Sequence, residues 1–348
     1  MRPGPPAQTG SIAMLKYTTR RLGLAIFVMI GVIAATFIIG NIVPGDPARL
    51  AAGPHAGPEQ VAKLRHEYGL DQPLPVQFVR YVTRLVHGDL GRSITSYRPV
   101  ARDIAEYLPA TIELALWAAL LTVIMGIPLG VLSAVRRNGA VDLSSRLVAL
   151  LGVTMPAFWL GLILQVVFFR GLGWLPAGGR IDAFITLPPR LTGFIVFDSV
   201  LAGNWAAAAS ALQHLILPAV TLAFGSVSVV TRMTRATMLE VLREDYVRTA
   251  RAKGLAARVV IYKHALRNAM VPIITVVGLQ VGYLLSGVFY VESIFGYPGL
   301  GTYTIRAITS LDFSGILGST IVVALVYLVI NLIADLSYPL FDPRINVQ

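Results

Sequence analysis

The side chains that could do chemistry in this sequence of 348 residues are few and scattered. There is no cysteine, which removes disulfides, thiolate chemistry and Cys-ligated metal sites. The five histidines, His55, His66, His87, His214 and His264, fall in four different connections or helix ends, and none has the HExxH spacing of a zinc helix. No paired carboxylates and no GxxxxGK[ST] phosphate loop occur, so the chain does not bind ATP in that way. Ion coupling usually calls for an acid deep in the membrane. Here Glu113, Glu292 and Asp335 fall near the ends of apolar runs, leaving Gln165, Gln280 and Asn331 inside them. Gly278, Gly282 and Gly287 suit close helix packing rather than a site. The residues thus speak against an enzyme and against an ion-coupled secondary transporter.

The concentrated feature is a basic stretch, "EDYVRTARAKGLAARVVIYKHALRNAMVP", residues 244–272. It sets Arg248, Arg251, Lys253, Arg258, Lys263 and Arg267 around Gly254. From Met238 onward "MLEVLREDYVRTARAKG" is free of proline and internal glycine and built of good helix formers, which predicts one helix up to Gly254. Gly254 stands where a helix C-terminus takes a left-handed residue. "ARVVIYKHALRNAM" predicts a second short helix, and Pro272 then opens the next apolar run. Two short helices broken at a glycine make an elbow. Such an elbow can dock on a partner protein, or it can hold anionic lipid headgroups.

The elements that carry this elbow are apolar. Hydrophobic residues make up 55% of the chain against 14% charged, and the mean hydropathy is +0.69. About 20 apolar residues at roughly 1.5 Å each cross a ~30 Å hydrocarbon core. Six runs approach that length, at 22–43, 111–135, 147–169, 212–230, 272–291 and 316–336, the fourth being the shortest. Backbone amides in lipid must be satisfied within the segment, so each run is expected to be a helix. The expected fold is all-α integral membrane with six transmembrane helices. The first run is too long for a signal-peptide core and ends in "VPGDP", so an uncleaved helix is expected.

The net charge of +11 is a topology signal rather than a nucleic-acid footprint. With the N-terminus inside, the inside segments hold about 17 of the 29 Lys+Arg and about 6 of the 18 Asp+Glu. The whole excess then lies on the cytoplasmic side. The expected organisation is a disordered tail at 1–13, a first span at 14–43, and an external segment at 44–108. A core of five spans follows at 109–338 with a cytoplasmic loop at 238–270, and a cytoplasmic tail at 339–348. Within the external segment, "PEQVAKLRHEYGL" and "LPVQFVRYVTRLVHGDLG" show helical apolar spacing closed by Gly69 and Gly88, which predicts two short amphipathic helices.

"YVRTARAKGL…HALRNAMVP" resembles the cytoplasmic EAA loop of ABC-importer permeases, specifically the dipeptide/oligopeptide/nickel branch. The general motif is Glu-Ala-Ala, three residues, Gly, nine residues and Ile-x-Leu-Pro. Gly254, Ala250 and Leu266 fit it. Arg248 and Thr249 stand in place of the glutamate and first alanine, and His264 and Arg267 in place of the isoleucine and proline, as in the peptide branch. "PGDP", "YGLDQPLPVQFVRYVTRLVHGDLGRS", "LPATIELAL", "FGYPGLGTYTIRAI" and "FDPRI" follow that branch's pattern in the same order.

The resemblance implies an ABC type I importer permease, non-catalytic, in the cell membrane, with both termini cytoplasmic. It implies that the elbow is a coupling helix touching a cytosolic ATPase through Tyr246, Val247, Thr249, Ala250, Lys253, Gly254 and Leu255, with His264 and Arg267 on the same docking surface. The implied partners are a second permease, which the peptide branch makes a paralogue, two ATPase subunits or domains, an external solute-binding protein and membrane lipids. ATP and Mg would bind to the ATPases and no cofactor to this chain. Peptides are the implied cargo, with nickel chelates, haem or another small solute as alternatives within the same architecture.

Overall fold

A computed structural model describes residues 8–42, 47–52, 56–67 and 69–341. Of the expected tails at 1–13 and 339–348, residues 1–7 and 342–348 lie outside the described residues, as do 43–46, 53–55 and Tyr68. Among the described residues there is no strand, and one isolated antiparallel bridge joins Arg92 to Pro99. The helices are α1 (Gln8–Ile42), α2 (Pro47–Ala52), α3 (Pro58–Glu67), α4 (Leu74–Val86), α5 (Val100–Val135), α6 (Ala140–Thr154), α7 (Ala157–Leu164), α8 (Ile195–Leu201), α9 (Trp205–Val241), α10 (Asp245–Ala252), α11 (Ala257–Val259), α12 (Arg267–Ile294), α13 (Leu300–Thr309) and α14 (Phe313–Phe341). Single π-helical segments, Gln165–Gly171 and Val260–Leu266, continue α7 and join α11 to α12.

Among the described residues five helical stretches are long and apolar enough to cross a membrane: Thr19–Ile39, Val100–Val135, Trp205–Val241, Ala257–Ile294 and Phe313–Ile333. A sixth span results if the pair Ala140–Thr154 and Ala157–Gly171 is counted as one. That pair corrects the expectation of a continuous helix over 147–169, because it is bent by 113°. Pro156 lacks an amide and disfavours helical backbone in the residue before it. Met155 is accordingly extended, with φ −80° and ψ 123°. Two other boundaries move. α1 begins at Gln8, ahead of Met14, and α5 begins at Val100 and carries Pro109 in its interior.

The chain divides into two compact units. One comprises the described residues of 1–108 and 302–332. Here α4 lies on α1 through Phe37, whose ring is 5.2 Å from Phe78 and 5.8 Å from Tyr81. The Ser93 hydroxyl donates to the Asp312 carboxylate, which also accepts from Gly315 N at 3.0 Å and so caps the start of α14.

The other unit comprises 109–301 and 333–341. Its centre is α9, which packs against α6, α7, α8 and α12. The fourth apolar run, the shortest in the sequence, therefore belongs to the longest helix, 37 residues. Its Ser226, Ser228, Thr231 and Thr234 are buried against neighbouring helices, so protein rather than lipid surrounds them. α5 approaches α9 closely at Gly130. A Cβ there would lie 2.5 Å from Thr234 Cβ and 2.7 Å from the Thr231 carbonyl oxygen, which cannot rotate away. Gly130→Ala is expected to cost about 1–3 kcal/mol by overpacking, visible as a lowered melting temperature in detergent. An unchanged melting curve would contradict this packing.

Candidate functional site

The elbow grows out of the end of α9. The expected single helix from Met238 to Gly254 is broken. α9 stops at Val241, and Glu244 adopts an extended backbone (φ −64°, ψ 146°) before α10 begins at Asp245. The second correction is that "ARVVIYKHALRNAM" is not a separate short helix. It runs through the π segment into α12, and Pro272 sits inside that helix rather than at its start. The elbow is thus one short helix, α10, hung between two long spans.

Gly254 closes α10 as the sequence implies. Its φ is +76°, Gly254 N donates to Arg251 O at 2.9 Å, and Leu255 N donates to Ala250 O at 3.4 Å, the paired bonds of a Schellman cap. Of the nine expected contact residues, Val247 and Ala250 face inward. They form a small core with Val260, against which Val241 and Leu242 pack. Tyr246, Thr249, Lys253, Gly254, Leu255 and Arg267 are exposed, and His264 is half-buried in the π segment. Asn268 Nδ2 donates to Tyr246 Oη at 3.0 Å and to His264 O at 2.9 Å, which ties α10 to the start of α12. Deeper still, Met238 of α9 is fully buried in a cluster with Val131, Ala134, Ala265, Ala269 and Ile273. Asn268, Val260 and Met238 were not singled out from the sequence, where nothing distinguishes them from neighbouring polar or apolar residues. The outcome is a helix with a fixed inner face and an exposed outer face carrying Arg248, Arg251 and Lys253.

At the other end of α12 lies a second polar construction. Glu113 of α5 is buried and takes three kinds of donor: the Arg180 guanidinium, Ile195 N at 3.2 Å and Val196 N at 2.9 Å. Arg180 also donates to Gly193 O at 2.7 Å and to Tyr297 Oη at 3.2 Å. Burial opposes its charge, but Tyr297 and Glu113 beside it hold its pKa above the ordinary arginine value. Glu292 is fully buried and accepts from Thr111 Oγ1 at 2.5 Å and from Gly301 N at 2.7 Å, at the start of α13. The glycines of "YPGLG" make this possible: a Cβ at Gly299 would fall 2.1 Å from Glu292 Oε1.

Glu113, which lies within α5 rather than at its end, and Glu292, near the end of α12, are therefore both occupied in holding loops and helix N-termini, where negative charge is favoured. Asp198 does the same in the connection between α7 and α9. Burial opposes its ionisation, yet donors from Thr192, Gly193 and Leu191 lower its pKa. Its stabilisation is thus full at neutral pH and is lost as pH falls through the depressed folded-state value. His214 is buried, with Nδ1 2.8 Å from Ser210 O and Nε2 3.8 Å from Asp182, a structural setting. Among the described residues no group of three or more His, Asp or Glu is placed to hold a metal ion.

A chain of five or six helical spans, with an exposed helix between two of them, is a polytopic membrane protein. Residues 126–347 match the binding-protein-dependent transport system inner membrane component family, and residues 14–115 match the N-terminal region of the same membrane components. The chain belongs to that family. It is 49% identical over 321 residues to the probable D,D-dipeptide transport system permease protein DdpB of Escherichia coli (strain K12), covering 92% of this chain and 94% of the relative. It is 44% identical over 336 residues to the dipeptide transport system permease protein DppB of Alkalihalophilus pseudofirmus, covering 96% and 100%. The glutathione transport system permease protein GsiC of Salmonella paratyphi A is 39% identical over 335 residues, covering 96% and 100%. The all-α, multi-span architecture is that of the ABC type I permease expected from the sequence, a non-catalytic membrane subunit that works with other components of a binding-protein-dependent system.

Proposed function

We propose that this chain and a second permease, a paralogue, form the pathway by which peptides delivered by an external binding protein cross the membrane. Two cytosolic ATPase subunits or domains drive the transport, and ATP and Mg bind to them rather than to this chain. The observation that carries the reading is the elbow: α10 is braced on its inner face by Val247 and Ala250 and presents an exposed basic face beside Gly254. A helix fixed in this way transmits displacement to α9 and α12, whereas a loose loop would absorb it. The full-length similarity to dipeptide permeases supports peptides as the cargo. The testing experiment reconstitutes the chain with its partner permease, ATPases and binding protein, and measures ATP-dependent uptake of labelled di- and oligopeptides. Uptake of none of them, with another solute transported, would refute the cargo.

The orientation follows from the one-sided charge: both termini and 232–270 in the cytoplasm, 44–108 outside. Because the chain holds no cysteine, single cysteines can be introduced without background. In intact cells an impermeant maleimide is expected to label position 88 and not position 254. Labelling of position 254 from outside would reverse the topology.

A further inference from the structure

One buried charged group serves neither the elbow face nor the network around Glu113 and Glu292. Asp142, in the first turn of α6, is fully buried. Its Oδ1 accepts from Arg235 Nε at 2.6 Å and from Ser133 Oγ at 2.6 Å. Its Oδ2 accepts from Arg235 Nη2 at 2.9 Å and from Asn138 N at 2.9 Å. Arg146 Nε lies farther off, at 3.7 Å. A single carboxylate thus joins the end of α5, the link to α6, the start of α6 and the last third of α9.

The geometry matters more than the charge. A bidentate guanidinium–carboxylate fork has one low-energy orientation, whereas apolar contacts between helices allow sliding. Arg235 lies one turn before Met238, which is buried among residues of α5, α12 and the π segment. Val241 and Leu242, one turn further, carry the inner face of the elbow. Successive turns of α9 are therefore fastened first to α5 and α6, then to α5 and α12, then to α10. We propose that Asp142 and Arg235 are positioning residues for coupling. They lock the rotation of α9 against α5 and α6, so that displacement of the elbow moves these helix ends as one body. This rests on the reading of the elbow as the ATPase contact.

The test uses the complete transporter in proteoliposomes, with Asp142→Asn, Arg235→Met and the exchange Asp142→Arg/Arg235→Asp. Peptide uptake and ATP hydrolysis are measured on the same preparation, alongside ATPase co-purification. The single variants are expected to keep their ATPases and to hydrolyse ATP, while uptake per ATP falls about tenfold. The exchange is expected to recover part of that ratio. Arg235→Lys, which keeps the charge without the fork, should fall between, and it supplies the reading if the other variants accumulate poorly. Variants that melt earlier yet transport the wild-type amount per ATP would overturn the proposal and leave the pair a purely structural contact. The elbow reading fails separately, if Gly254→Val keeps both its ATPases and full uptake.

Discussion

Gly254→Val is expected to insert in the membrane at normal abundance and to lose most of its ATPase binding or its coupling of hydrolysis to uptake. The reason is backbone conformation. Gly254 has φ +76°, and placing a β-branched residue in the left-handed region costs roughly 1–2 kcal/mol. A Cβ at this position meets no atom of the chain within 4 Å, so no internal clash adds to that cost. What the valine disturbs is the cap and whatever surface meets it. Gly254→Asn separates the two effects, since asparagine tolerates the left-handed conformation. It should keep the cap and show only the effect of added bulk at the contact. Lys253→Ala removes a charge but keeps helix propensity, and should be milder than either. ATPase co-purification and peptide uptake at matched expression are the readouts. Full uptake by Gly254→Val with ATPases bound would move the elbow's role to anionic lipid.

Arg180→Met should have the second large effect, at the other end of α12. It strips the guanidinium paired with Glu113, leaving a carboxylate that is 3% exposed without its cation. Breaking a buried pair from one side costs about 3–5 kcal/mol. The expected readout is a strongly lowered melting temperature and poor yield. Glu113→Gln should cost less, because the amide oxygen still accepts from one of Ile195 N and Val196 N, and Arg180 keeps Gly193 O and Tyr297 Oη. Replacing both partners with apolar residues should recover much of the loss, since neither then leaves a buried charge. A melting curve for Arg180→Met that overlays the wild type would show that water, not Arg180, compensates Glu113.

Most of the spans and the elbow were legible in the sequence for the same reason: both depend on local quantities. A run of apolar residues long enough to cross a bilayer needs a helix whatever its neighbours, and a basic stretch between two such runs has few places to go. Gly254 was readable because a helix of good formers that meets a glycine ends there. The errors came where neighbours decide. The fourth run looked short because Thr231, Arg232, Thr234 and Arg235 follow it in the sequence, yet α9 continues through them to Val241, with Thr231 and Thr234 buried because α9 is the centre of its unit. The break at Met155 was visible in principle, since Pro156 restricts it, but Pro109, Pro128, Pro218 and Pro272 lie inside helices that continue.

The sequence by itself determined that this is a multi-span helical membrane protein and where the elbow lies. Its motifs, in order, carried the likeness to the peptide-permease branch. Only the tertiary structure decided which face of the elbow is free. Val247 and Ala250 pack inward on Val260, which lies in the π segment and carries no periodic signal linking it to α10. The partners of the buried charges were equally hidden. Arg235 finds Asp142 from 93 positions away, and Glu113 finds Arg180 from 67 positions away. Hydropathy and propensity are properties of neighbours in sequence, whereas a buried ion pair is made by neighbours in space, and only the packing of helices brings those together.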